Sequence, residues 1–257
     1  MSMQYADTKY GKIKGIKCNK ITKFFGVPYA KPPIGDLRWR EPQEPEYWDG
    51  VRDAIRFEKR CIQRKPEEGE FYQKEFNADS NYITEMSEDC LYLNLWTPAE
   101  RPGKDYPVAM WIHGGGFTAG NGNEVEFDGE KYAENGVVFV TINYRLGVFG
   151  FFSHPWLKEE KGHSGNYGLL DQIQALKWIQ ENIEGFGGNP NRVTIMGQSA
   201  GAVSVQALAA SKLADGMFHR VIMQSGGGYR TGFVENVEEL QAEKNGITIA
   251  EAAHAKS

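Results

Sequence analysis

The chain has 257 residues, of which 40% are hydrophobic and 25% charged, with 30 glycines and a net charge of -5 at pH 7. That length admits one large α/β domain or two small ones, and the balance excludes a fibrous or intrinsically disordered chain. A mildly acidic protein of this kind is not expected to bind nucleic acid, and no apolar stretch has the length of a membrane span.

The first residues, MSMQYADTKYGKIKG, show neither the apolar core nor the small-residue cleavage site of a secretory signal, so a cytoplasmic protein without membrane contact is expected. Three cysteines, Cys18, Cys61 and Cys90, are too few and too scattered for a disulfide framework or a zinc cluster. Buried or free thiols are the expectation.

Between Tyr5 and Ala30, short β-prone runs broken near Gly11, Gly15 and Asn19 predict a small antiparallel sheet within residues 1–35, ended by KPPIG. Residues 62–89 are acidic and carry no period, which predicts a long surface loop with some local helix. From residue 90 to 257 the pattern becomes regular. CLYLNLW, PVAMWIH and GVVFVTINYR read as strands, and beyond them come helix, strand, helix and strand, an alternation that predicts a mainly parallel sheet flanked by helices. The helix opening near Gly168 places Leu169, Ile173, Leu176, Ile179 and Ile183 at spacings of three and four, with Gln172, Lys177 and Glu181 on other faces. GFGGNP stops it. After the last strand, RVIMQSG, an amphipathic tail reads as helical from about Val234.

The run VTIMGQSAGAVSV, Val193 to Val205, puts a serine between a buried strand and an apolar helix. In a parallel sheet, ligands sit beyond the carboxyl ends of the strands, and Ser199 falls at such an end. A turn this sharp strains the backbone at its apex, and a side chain at Gly197 or Gly201 would collide with the neighbouring strand or helix. Gln198 completes the nucleophile elbow. The helix that starts just after Ser199 directs its free N–H groups and positive dipole end at the same point. A GxSxG string also occurs where a serine merely caps a helix, but the strand before it and the helix after it are the context a nucleophile requires.

A second segment, MWIHGGGFTAG, has three glycines directly after a strand, so its backbone can approach a ligand closely and turn N–H groups toward it. Acyl transfer needs such donors for the tetrahedral oxyanion. Gly114, Gly116 and Ala119 also satisfy GxGxxG/A, the dinucleotide fingerprint. The continuation of the chain, GNGNEVEFDG, is loop-like, whereas that fingerprint needs a helix N-terminus there. No cofactor is expected.

These residues, with FFGVPYAKPPIGDLRW, SEDCLYLNLWTP, NYRLGVFGF, NYGLLDQIQALKWIQENIEGFGGNPNRVTIMGQSAG and FHRVIMQSG, resemble the type B carboxylesterases, the cholinesterase-like branch of the α/β-hydrolase fold. The motifs occur in the family's order and cover nearly all of residues 8–228. The resemblance implies a single α/β-hydrolase domain in which Ser199 is the nucleophile and the N–H groups of Gly115, Gly116 and Ala200 form the oxyanion hole. Ala200 also follows from the residues alone, as the position after the nucleophile. Cys61 and Cys90 match a pair that is disulfide-linked in secreted relatives, and a cytoplasmic protein would keep them reduced. Where many relatives carry glutamate, this chain has Gln198, which removes a negative charge beside the nucleophile.

In this fold the chain order is serine, acid, histidine, and the resemblance places acid and histidine beyond residue 257, with the later strands of the sheet. Each histidine present has another explanation: His113 in the glycine loop, His154 and His163 in a surface connection, His219 at the far end of a strand, His254 in the tail. Asp215, Glu235, Glu238 and Glu239 read as solvated charges. The expectation is therefore the N-terminal part of a serine hydrolase of small carboxylic esters, nearly inert by itself, and two situations fit equally: a truncated gene product, or a fragment whose C-terminal half, carrying acid and histidine, is a separate piece. An interaction module of the same fold is the alternative.

Overall fold

The computed structural model describes residues 4–65, 67, 69–76, 79–228 and 238–255. Its strands are β1 (Tyr5–Thr8), β2 (Gly11–Lys14), β3 (Ile16–Cys18), β4 (Ile21–Pro28), β5 (Val51–Asp53), β6 (Tyr92–Thr97), β7 (Tyr106–Ile112), β8 (Val138–Ile142), β9 (Gly188–Gln198) and β10 (Arg220–Gln224). The helices are α1 (Phe71–Phe76), α2 (Glu130–Glu134), α3 (Gly147–Phe151), α4 (Pro155–Lys161), α5 (Tyr167–Asn182), α6 (Ala200–Ala210) and α7 (Glu239–Ala252).

Seven strands form one sheet in the order β10-β9-β7-β8-β6-β4-β3. The β10-β9, β9-β7 and β7-β8 pairs are parallel, and the β8-β6, β6-β4 and β4-β3 pairs antiparallel. Every residue of β8 is buried, as are the last five of β7, because helices and loops cover both faces and leave no polar side to the strands. Alternation decides which layer each residue joins. Val108, Met110 and Ile112 enter the main core with Val138, Val140, Ile142, Val193 and Ile195, while Ala109, Trp111, Phe139 and Met196 enter a second cluster with Trp96 and Ile21.

The N-terminal strands do not form one small sheet. β1 and β2 pair antiparallel and β5 joins β2 in a three-stranded sheet, but β3 and β4 extend the large sheet through the β4-β6 pairing. In α5, Ile173, Leu176, Ile179 and the adjoining Ile183 are buried, and Lys177 and Glu181 are exposed. Gln172 departs from expectation. It is buried and donates from Nε2 to the Ser204 hydroxyl of α6 at 3.0 Å, so its amide N–H links two helices. Near the same helix, Asp171 holds Arg145 in a buried pair, with Nη2–Oδ1 at 2.7 Å and Nε–Oδ2 at 2.8 Å.

α7 packs against the body of the protein. Gly246 lies so close to the Ser153 carbonyl that a Cβ would overlap it, and Lys158 of α4 pairs with Glu239 at 2.8 Å. Val234, where the helical tail was expected to begin, and Glu235 lie outside the described residues. Among the described residues, no helix is long and apolar enough to cross a membrane.

Candidate active site

β9 ends at Gln198 and α6 begins at Ala200, so the whole reversal falls on Ser199. That residue has φ 55° and ψ -120°, a conformation L residues rarely adopt and one that costs about 1–3 kcal/mol. What holds it there is close packing. A Cβ at Gly197 would stand 2.6 Å from the backbone of Gly201 and 2.8 Å from the Ile112 carbonyl oxygen, and one at Gly201 would overlap that same oxygen. Strand and helix thus touch backbone to backbone.

Ser199 is half-buried, and its hydroxyl makes no cap hydrogen bond to α6. Its carbonyl accepts from the N–H groups of Ala202 at 2.9 Å and Val203 at 3.1 Å, which leaves the Ala200 N–H at the free positive end of the helix.

The triglycine lies against this turn. A Cβ at Gly114 would be 3.3 Å from Ser199 Cβ, 2.8 Å from the Gln198 carbonyl oxygen and 2.7 Å from Gln198 Oε1. Gly115 and Gly116 have φ of 97° and 62°, open to glycine and strained for other residues. The Gly115 carbonyl turns away to accept from Thr118 N at 3.1 Å and Ala119 N at 3.0 Å. In a trans peptide the N–H points opposite its carbonyl, so the Gly116 N–H faces the other way. Among the described residues, the N–H groups of Gly115, Gly116 and Ala200 meet no acceptor.

The segment after the triglycine runs through turns to a short 3-10 helix at Val125–Phe127, so no α-helix begins behind these glycines. It is fastened by residues the sequence did not single out. Gln63 accepts from Gly120 N at 2.8 Å and donates to Gly120 O at 2.9 Å, and Asn143 Oδ1 accepts from Gly122 N at 2.8 Å. Gln63 sits in a stretch with no periodicity, so only the fold reveals its role. Glu124 accepts from Asn121 N at 3.2 Å, and burial pushes its carboxyl up to about 7.

Four of the five histidines are held in contacts elsewhere. His113 is buried, its Nδ1 2.8 Å from the Gly114 carbonyl oxygen, and burial lowers its pKa to about 4. His154 does not lie on the surface as expected: it is buried, and its Nδ1 accepts from Trp156 N to cap α4. His163 faces Glu41 at 3.4 Å, His219 Nδ1 accepts from Val193 N at 3.2 Å, and His254 is exposed just past α7. Asp215, Glu238 and Glu239 are exposed. None of these contacts involves Ser199.

Cys18, Cys61 and Cys90 stand unbridged in the structure, Cys61 and Cys90 buried. The two are neighbours all the same: the contact with Cys61, together with burial, raises the Cys90 thiol well above its ordinary range. Cys61 Sγ also accepts from Leu146 N at 3.3 Å.

A serine at a sharp strand-to-helix turn, with a glycine loop against it, is the geometry on which the comparisons with known proteins bear. The model of the carboxylesterase family matches residues 2–254. The chain belongs to the carboxylesterase family. It is 45% identical over 222 residues to fumonisin B1 esterase of Sphingopyxis macrogoltabida, covering 86% of this chain and 39% of that one. It is 44% identical over 227 residues to para-nitrobenzyl esterase of Bacillus subtilis, covering 88% of this chain and 44% of that one. A solved PNB esterase superposes with a TM-score of 0.86 at 39% identity, over 98% of this chain and 49% of the other. The fold is that of the α/β-hydrolases, and the chain spans about half the length of the relatives it matches.

Proposed function

We propose that this chain carries the nucleophile and oxyanion hole of a serine carboxylesterase, acting on small-molecule carboxylic esters through an acyl-serine. The observation that carries the reading is the strained Ser199 turn set against the triglycine, with the N–H groups of Gly115, Gly116 and Ala200 unengaged beside it. In that reaction the Ser199 oxygen bonds to the ester carbonyl carbon while a base takes its proton. The tetrahedral oxyanion receives the three N–H groups, and the alcohol leaves with the transferred proton. Water then attacks the acyl-serine by the same route and releases the acid.

The acid and base of this reading are groups other than the described histidines: His113, His154, His163 and His219 are held in contacts away from Ser199, and His254 is exposed just past α7. Among the described residues β10 pairs with β9 alone and exposes Val221, Ile222 and Met223, and an edge so apolar is suited to receive a further strand. Without a base, turnover falls by roughly a millionfold, and the oxyanion hole retains on the order of a thousandfold over water. The cytoplasm is the compartment proposed, and there the neighbouring thiols Cys61 and Cys90 would stay reduced.

The test is labelling with a fluorophosphonate probe, with and without the remaining half of a para-nitrobenzyl esterase chain supplied in trans. Labelling should appear on mixing and vanish in Ser199→Ala. Equal labelling of that variant would refute the assignment of the serine. No labelling in any mixture would favour an interaction module instead.

A further inference from the structure

The reading of Gly115 as an oxyanion donor requires its peptide group to hold one orientation, although glycine on both sides leaves the backbone free to turn. The Gly114 carbonyl and the Gly115 N–H belong to one peptide, and the chain contains no cis bonds among the described residues. They therefore point in opposite directions. The Gly114 oxygen lies 2.8 Å from His113 Nδ1. A carbonyl only accepts, so Nδ1 carries the proton and donates. Nε2 is buried without a partner, which suits the bare nitrogen of a neutral ring and would leave an imidazolium N–H stranded.

The imidazole is itself held. Its ring stacks on Tyr144 with centroids 4.3 Å apart and planes 18° from parallel. The Tyr144 hydroxyl donates to the His113 carbonyl oxygen at 3.0 Å, which fixes the preceding peptide as well. Space for the arrangement comes from Gly120, where a Cβ would stand 2.6 Å from His113 Nδ1 and 2.7 Å from the Gly114 oxygen.

We propose that His113 is a positioning residue: its Nδ1–H anchors the Gly114 carbonyl, with Tyr144 fixing the ring, and so sets the direction of the Gly115 N–H. Mechanistically this rests on the ester-hydrolase reading, but the geometry can be tested without it. His113→Phe keeps a ring against Tyr144 and removes the donor, whereas His113→Asn offers an amide N–H where Nδ1 stands.

In the 257-residue chain, aligned weakly in solution, the residual dipolar coupling of the Gly115 N–H reads its direction. The coupling should change in the Phe variant and return toward the wild-type value in the Asn variant. In the wild type, nitrogen-proton correlation spectra of the His113 ring should show the Nδ1–H tautomer from about pH 5 to about pH 8. An Nε2–H tautomer, or a Gly115 coupling unchanged in the Phe variant, would overturn the proposal. Should the Phe variant fail to fold, the tautomer measurement and Tyr144→Phe, which keeps the ring and removes the hydroxyl, still decide it.

With the complementing half present, the Phe variant should lose on the order of a hundredfold in kcat for a p-nitrophenyl ester with KM little changed, and the Asn variant should recover most of that loss. A wild type that never acylates while the coupling results hold would sink the ester reading and leave the anchoring intact.

Discussion

Ser199 donates its backbone N–H to the Gln224 carbonyl oxygen at 2.9 Å, tying the strained residue at the head of α6 to the last residue of the outermost strand. The serine's positive φ is thus held from two sides, by Gln224 and by the glycine contacts beneath it. Strain of this kind is relieved where the side chain is deleted altogether. Ser199→Gly should therefore be more stable than Ser199→Ala by about 1 kcal/mol, although both abolish probe labelling. Urea unfolding of the two variants measures it, and an alanine variant of equal or greater stability would contradict the strain.

Gly201→Ala should be costly for the opposite reason. Its methyl group would enter the space of the Ile112 carbonyl, which belongs to the backbone and cannot rotate away. A loss of about 1–3 kcal/mol or more is expected, read as a lower urea midpoint at unchanged slope. Gly35→Ala is the control: its position is open although its φ is positive, so conformational strain alone should act there.

Asp171→Asn leaves the buried Arg145 guanidinium without its counter-charge. Breaking such a pair by removing one partner costs about 3–5 kcal/mol, because the remaining charge stays out of water. Unfolding midpoints at neutral pH test this, and a loss under about 1 kcal/mol would show that the pair is solvated in solution.

Glu124 supplies a pH dependence of known sign. Burial raises its carboxyl to about 7, so between the unfolded value near 4.5 and that point the folded state binds more protons than the unfolded one. Its contribution therefore declines as pH rises through this window, by about 1–2 kcal/mol allowing for partial exposure. Glu124→Gln keeps an acceptor for the Asn121 N–H and removes the titration. Relative to the wild type, it should gain stability between about pH 5 and about pH 8. The difference between the two proteins isolates this carboxyl from His113, whose lowered pKa costs stability in the other direction, as pH falls from 6.5 toward 4.

The serine turn was legible because a sharp strand-to-helix reversal needs glycine at fixed positions, and Gly197 and Gly201 mark them. The parallel core was legible from apolar runs such as those of β7 and β8, which the sheet buries on both faces. Strand partners were not: β3 and β4 alternate as a hairpin does in either sheet, and their membership is settled by β6, far along the chain. Polar residues inside were equally hidden. Gln172 and His154 inside, and the half-buried Gln63, have the composition of a surface, and only their partners Ser204, Trp156 N and Gly120 account for their positions. A loop of close backbone approach can be read from three glycines, but the His113 and Tyr144 contacts beside it are visible only in the fold.

The pairing of Ile112 with Gly197 brings β7 beside β9 across a stretch that holds β8 and the helices α2 to α5. Closing so long an intervening segment is entropically slow. During synthesis the glycine loop emerges well before the serine turn that it packs against, and on refolding the helical signal should return before that contact does. The meeting of these two segments is thus a late acquisition of this topology, reached after most of the chain has already collapsed.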